Sequence, residues 1–279
     1  MDNSKIKNFI IIILLIVNLL LTAVIGADMV KNRTLRRQAL EGVVAIMESR
    51  GITVSEDVAL SYPDLNICSV RRDLDAEKKR VSAVLGKVSV QDRGGNILLY
   101  LGERGEAQFS GTGVFEILMN VGAVPTGQDP EGTARAFLKK LGMSTVKGDD
   151  GVRVDVRDGA GTVVLNCQIG KTEIINCQVT FIFTDGSLML VSGTRPLDKG
   201  SSDSLDNAMD VSTILMRFLD IISESGHVCS RLENLELCYV QSAPASGLGK
   251  LEPVWCLTTD AGEFYINGLT GKRETLTRY

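Results

Sequence analysis

Hydrophobic and polar positions divide the chain into one unbroken apolar run and a long remainder of short periodic segments. From Phe9 to Ile25, seventeen residues carry only two polar side chains, Asn18 and Thr22, and no charge. Extended to Ala27, the run approaches the about 20 helical residues that cover a roughly 30 Å hydrocarbon core. A cleaved signal peptide would end its apolar stretch in small residues at −3 and −1. Cleavage after Ala27 or after Gly26 instead puts branched Ile25 or Val24 at −3. The pattern therefore predicts a retained single-pass membrane anchor at 9–27, behind a short leader at 1–8.

Beyond the anchor, a helical period followed by glycine recurs four times. Leu40, Val43, Val44 and Met47 precede Gly51, and Leu74, Val81, Val84 and Leu85 precede Gly86. Ala134, Phe137, Leu138 and Leu141 precede Gly142; a stripe from Leu205 through Ala208, Val211, Leu215, Phe218 and Ile222 precedes Gly226. Spacing near 3.6 argues helix, and a glycine just past the last apolar residue is a C-cap. Short β-branched segments fill the intervals: 87–91, 96–101 and 114–119, then 152–156, 163–169, 173–183 and 187–191, then 235–241, 253–259 and 263–267. Turns such as Asp92-Arg93-Gly94-Gly95 and Asp185-Gly186 join them closely enough to imply antiparallel pairing. The expected fold class is α+β, a transmembrane helix followed by repeated helix-plus-antiparallel-sheet modules. The polar stretch Asp198–Asp206 reads as a linker, with a weaker boundary near Gly122–Gly132. The expected units are an N-terminal α+β region at 28–122, a middle module at 123–197 and a C-terminal module at 205–279.

Composition removes several function classes. A net charge of −4 and a pI near 5.3 argue against nucleic acid, which selects a basic footprint. Only Lys31–Arg37 is basic, and it reads as a solvated helix beside anionic headgroups. Those charges outnumber Lys5 and Lys7, so counting alone favours a cytoplasmic soluble portion, whereas a short leader before an apolar segment is also how exported domains are delivered. Six cysteines (Cys68, Cys167, Cys177, Cys229, Cys238 and Cys256) include no C-x-x-C pair, and the single histidine, His227, has no ligand spacing. No metal or cofactor is expected from that pattern, and most cysteines read as small apolar packing residues. An even count also permits disulfides in an exported domain, and Asn32-Arg33-Thr34 fits a glycosylation acceptor.

Catalytic constellations do not emerge. There is no G-x-S-x-G elbow and no phosphate-binding G-x-x-x-x-G-K-[ST]; Gly111-Thr112-Gly113 and Gly247-Leu248-Gly249 read as turns. Asp149-Asp150 reads as loop charge, and Asp73 with Asp75 as a helix start. The expectation is a non-enzyme, because a usable base and nucleophile are missing. Asn18 differs: an amide inside an anchor gains from a partner helix, making it the candidate partner-binding residue.

Two stretches resemble a known family. Met1-Asp2-Asn3-Ser4-Lys5-Ile6-Lys7-Asn8, running into the isoleucine-rich Phe9–Asn18, resembles the start of YycI-type proteins, with Asn3 where that family usually has Trp. Leu251-Glu252-Pro253-Val254-Trp255, followed by Phe264–Gly271, is similar to the closing strand pair of YycI and PepSY-like modules. The resemblance implies a single-pass protein of the cell membrane of Gram-positive bacteria, N-terminus cytoplasmic and soluble portion extracytoplasmic. It implies partnership with a YycH-like protein and a sensor histidine kinase of the WalK/WalR cell-wall system. The alternative is an extracytoplasmic PepSY-like module that restrains a peptidase or holds an envelope ligand.

Overall fold

The computed structural model describes residues 3–56, 58, 60, 66–148, 151–204, 208–226 and 228–276; the side chains of 3–10, 25, 28, 29, 32, 33, 203 and 204 are outside the description. His227, Asp149-Asp150 and Leu205 fall outside the described residues, as do the Asn32 and Arg33 side chains of the glycosylation motif.

The chain opens with α1 (Asn3–Ser49), one helix of 47 residues. At 1.5 Å per residue it is roughly 70 Å long. Apolar run and amphipathic segment, read separately in sequence, are thus a single element. There follow β1 (Thr53–Val54), β2 (Asn66–Arg71), α2 (Leu74–Leu85), β3 (Ser89–Asp92), β4 (Ile97–Gly102), β5 (Gly105–Ser110) and β6 (Val114–Met119). Next come α3 (Pro130–Lys140), β7 (Ser144–Thr145), β8 (Val152–Arg157), β9 (Ala160–Ile169), β10 (Thr172–Thr184), β11 (Ser187–Thr194) and β12 (Asp198–Ser204). The last elements are α4 (Val211–Ser225), β13 (Arg231–Ser242), β14 (Leu248–Thr259), β15 (Gly262–Asn267) and β16 (Arg273–Glu274).

Among the described residues, sixteen strands connect in a mostly antiparallel sheet whose main path is β12-β2-β14-β13-β10-β11-β6-β5-β4-β3. Only β1 and β10, among the described residues, run parallel to a neighbour, β13 in both cases. β10 joins the two halves. Ile174 at its start pairs with Tyr239, and Val179–Thr184 at its end pair with β11. Its register against β9 shifts between Glu173 and Gln178, and such a bulge bends a strand.

Two main cores follow. α2 and α3 cover one part of the sheet, burying Val81, Leu85, Phe137 and Leu138 against Phe109, Ile117 and Phe181. α4 and the end of α1 cover the C-terminal strands, with Val43, Met47, Leu215 and Phe218 packed on Trp255, Leu257, Phe264 and Ile266. The opposite face of those strands carries a smaller cluster of Ile175, Cys238, Val254, Cys256 and Tyr265.

Capping explains where the helices begin. The Asp73 carboxylate accepts from the Ala76 N–H at 3.0 Å to start α2, and Asp129 does the same for Gly132 at 2.8 Å, ahead of Pro130. Asp210 accepts from the Thr213 N–H at 2.9 Å, so α4 starts at Val211, and Ala208 lies outside the helix that its spacing suggested. Gly226, at φ 66°, ends α4 in the left-handed conformation that favours glycine.

Replacing Asp210 by Ala is expected to cost about 1 kcal/mol near neutrality. Burial alone would raise the Asp210 pKa, but hydrogen bonds from Thr213 and Ser212 outweigh it and hold the carboxyl below its ordinary value. A depressed carboxylate stabilises above its unfolded pKa, near about 3.9, and that contribution is lost as pH falls through the lower folded value. In thermal melts, the gap between wild type and Asp210→Ala should therefore close on acidification below about pH 4. A gap unchanged across that range would contradict the cap.

The segment read as a linker is instead strand β12, paired antiparallel with β2. One edge of its backbone pairs with β2, with a register shift between Lys199 and Ser202, and the Ser201 hydroxyl lies 3.0 Å from that of Ser69. A polar strand is tolerated there because β12 ends the main path and has only one neighbour on it. The closing strand pair does form. Trp255 of β14 pairs with Ile266 of β15, and the Asn267 side chain accepts from the Leu269 and Thr270 N–H groups at 2.9 and 3.1 Å.

Candidate functional site

Two features stand apart from ordinary packing. The first is the surface of α1. Eleven large apolar side chains between Ile11 and Val24 are 44–64% exposed, on every side of the helix. A helix apolar all round is a buried element, within a protein or within a membrane. At the other end of the same helix, Met47 is fully buried and Val43 nearly so, against α4. Asn18 sits among the exposed residues. Its carbonyl accepts from Thr22 Oγ1 at 2.8 Å, and its side-chain amide has no partner among the described residues. Among those residues no helix is long and apolar enough to cross a membrane, so the structure does not establish the anchor expected at 9–27. The side chains of residues 9, 10 and 25, at the two ends of that run, lie outside the described residues.

The second feature is a buried ion network. Glu77 lies on the apolar face of α2, at i with Val81, Val84 and Leu85 at i+4, i+7 and i+8. Its side chain is 1% exposed. Arg72, from the link between β2 and α2, grips it with two hydrogen bonds: Nε to Oε2 at 2.9 Å and Nη2 to Oε1 at 2.6 Å. Arg195, just past β11, donates from Nη2 to the same Oε2. The Tyr100 hydroxyl of β4 donates to Oε1 at 2.7 Å. Arg72 reaches on to the Asn96 carbonyl and, at 3.1 Å, to the Phe109 carbonyl. The Arg195 guanidinium lies over the Phe109 ring, 5.4 Å from its centre. Gln241 of β13 completes the frame, donating to the Arg195 carbonyl at 3.1 Å and accepting from the Leu197 N–H at 2.8 Å. One carboxylate thus pins α2 to β4 and to the chain segments beside β2 and β11. Burial, then the hydrogen bond to Glu77, raises the Tyr100 pKa, so this phenol stays protonated at physiological pH.

All six cysteines are unbridged and buried. Burial, with Glu173 adding to it, pushes the Cys167 thiol up to about 12, and burial likewise pushes Cys177 well above its ordinary value. Both therefore stay thiols, and the thiolate is the nucleophilic form. Asp73 and Asp75 stand at the cap and in the first turn of α2, and Gly200-Ser201-Ser202 runs along β12. Sequence spacing missed one further juxtaposition. Glu173 of β10 meets Glu236 and Cys238 of β13, with one potential metal-ligating atom from each within 4.8 Å of the others. The Asn166 amide donates to Glu173 at 2.8 Å. The parallel β10–β13 pairing creates that grouping, and nothing in the local sequence announces it.

No family model matches this chain, and no curated protein matches it. Among solved structures it is similar to an uncharacterised protein from Eubacterium rectale, with a TM-score of 0.47 and 11% identity over 81% of this chain and 90% of that one. It is also similar to YycH from Bacillus subtilis, with a TM-score of 0.37 and 11% identity over 76% of this chain and 55% of that one. At these values neither likeness assigns a function.

Proposed function

We propose that this chain is a membrane-anchored, non-enzymatic regulatory protein whose α1 crosses the bilayer at residues 9–27 and whose folded part lies outside the cytoplasm. There it binds a sensor histidine kinase of the WalK type, in company with a YycH-like protein. The observation that carries the reading is the continuity of α1. One helix presents apolar side chains on all sides over Ile11–Val24 and, without a break, buries Met47 under α4. A lipid environment supplies the burial that the first part lacks. An unbroken helix then transmits displacement between membrane and sheet. The kinase class is supported by the resemblance of the beginning and the closing strand pair of the sequence to YycI-type proteins.

The energetic demand is small. A regulator that prefers one signalling state by about 1–3 kcal/mol changes output 5–150-fold, and confinement to the same membrane raises the effective concentration of both partners. Asn18, whose side-chain amide has no partner among the described residues, is the contact that a kinase helix would satisfy, at about 1 kcal/mol or less. Isolating the tagged full chain from membranes should recover the kinase, and Asn18→Ala should weaken that association by up to about fivefold. Recovery of a peptidase with no kinase would replace this reading with the PepSY-like alternative. Kinase output unchanged by deletion of the gene would refute it.

A further inference from the structure

Beside the Arg72–Glu77–Arg195 network lies a cavity of about 160 Å³. One water needs only about 10–15 Å³ of such space, so a molecule of several heavy atoms fits. Four pieces distant in sequence form the wall: Arg80 on α2, the stretch 141–144 that follows α3, the turn between β9 and β10, and the segment from Arg195 to Lys199 that runs into β12. The charged lining residues are Arg80, Arg195 and Lys199 against Asp198 alone.

The acids here are already engaged. Asp198 pairs with Arg80 at 2.7 Å, and its second oxygen accepts from the Asp73 N–H at 3.4 Å. Glu77 is shared between Arg72 and Arg195. Arg195, 3% exposed, keeps a buried Nε–H with no acceptor among the described residues. Four cations (Arg72, Arg80, Arg195 and Lys199) thus face two carboxylates (Glu77 and Asp198), an excess of two positive charges around the cavity. Arg72 and Arg195 are the buried members and share the single Glu77 carboxylate, and buried charge without full compensation is costly. The C-terminal end of α3 borders the same space, but Arg80 lies across it. The Arg80 Nε is 2.7 Å from where a β-carbon on Gly142 would stand, so a larger residue there would push the guanidinium aside.

We propose that this cavity binds a small oxyanion of the phosphate class, held by Arg80, Arg195 and Lys199. A phosphate monoester carries about −1.5 to −2 charge near pH 7, which matches the excess, and guanidinium forks suit its several oxygens. The ion can come free or as the terminal phosphate of a larger molecule.

Calorimetric titration of the full chain in detergent with inorganic phosphate, and separately with glycerol 3-phosphate, tests the site against chloride at matched ionic strength. Saturable binding of phosphate is expected. Lys199→Gln and Arg80→Gln should each weaken it roughly tenfold or more, the loss of one charge-assisted hydrogen bond. Arg231→Gln, in an exposed pair with Glu233, should leave it unchanged. Equal affinity for glycerol 3-phosphate supports a phosphate carried on a larger molecule, and preference for the inorganic ion supports free phosphate. No saturable heat from either ligand, or wild-type affinity in Lys199→Gln, an exposed position whose loss leaves the core intact, would overturn the proposal.

Discussion

Glu77→Ala is expected to lower stability by about 3–5 kcal/mol, because removing one member of a buried ion pair strands the others. The Arg72 and Arg195 side chains are 3% and 4% exposed, so water does not replace the lost carboxylate. Tyr100 loses its acceptor in the same step. The net worth of the intact network is smaller than this figure, since burying its charges already costs several kcal/mol. At roughly 2–4 °C per kcal/mol for a chain of this size, the melting temperature should fall by roughly 6–20 °C. Glu77→Gln keeps part of the hydrogen bonding and should fall between the two. As a control, Arg157→Ala removes an exposed partner 3.8 Å from Asp155 and should shift stability by no more than about 0.5 kcal/mol. Thermal melts within about 1 kcal/mol of wild type for Glu77→Ala would mean the network does not hold α2 to β4 and to the segments beside β2 and β11.

The second large effect concerns α1. On an insertion scale, each Leu, Ile or Val contributes about −0.3 to −0.6 kcal/mol at a helix centre, and a lysine costs about 2.5–3.5 kcal/mol. The eleven exposed apolar residues between Ile11 and Val24 thus supply about −3 to −7 kcal/mol. Leu15→Lys combined with Leu19→Lys removes two of them and adds about 5–7 kcal/mol of cost, enough to reverse the sign. The double variant should leave the membrane fraction in flotation while α4 and the sheet stay folded, because both substitutions lie far from Met47 along the helix. A variant that floats with the membranes like wild type would show that α1 is not held by its apolar surface.

Elements with local signatures were legible. The 3.6-residue spacing and the glycine stops located α2, α3 and α4, and the asparagine-ended closing strand pair formed as read. The polar strand β12 and the short β1 and β2 were not legible, since their pairing partners lie far away in sequence. Cys68 of β2, for example, faces Leu251 of β14, and no residue near either position reports the contact. Glu77 did leave a signal, a charged residue on an otherwise apolar helical stripe with Val81 and Val84. Its partners Arg195 and Tyr100 could not be read, because tertiary pairing alone brings them to it. The grouping of Glu173 with Glu236 and Cys238 was hidden for the same reason, as it depends on a parallel contact between strands about sixty residues apart.

The basic residues Lys31, Arg33, Arg36 and Arg37 count toward a cytoplasmic folded part, while the proposed role with a sensor kinase requires the opposite side. Orientation therefore tests the account most directly. A reporter that is active only after export, fused after Tyr279, is predicted to be active in the full chain and silent when residues 9–27 are deleted. Activity confined to a cytoplasm-specific reporter at the same position would contradict the account.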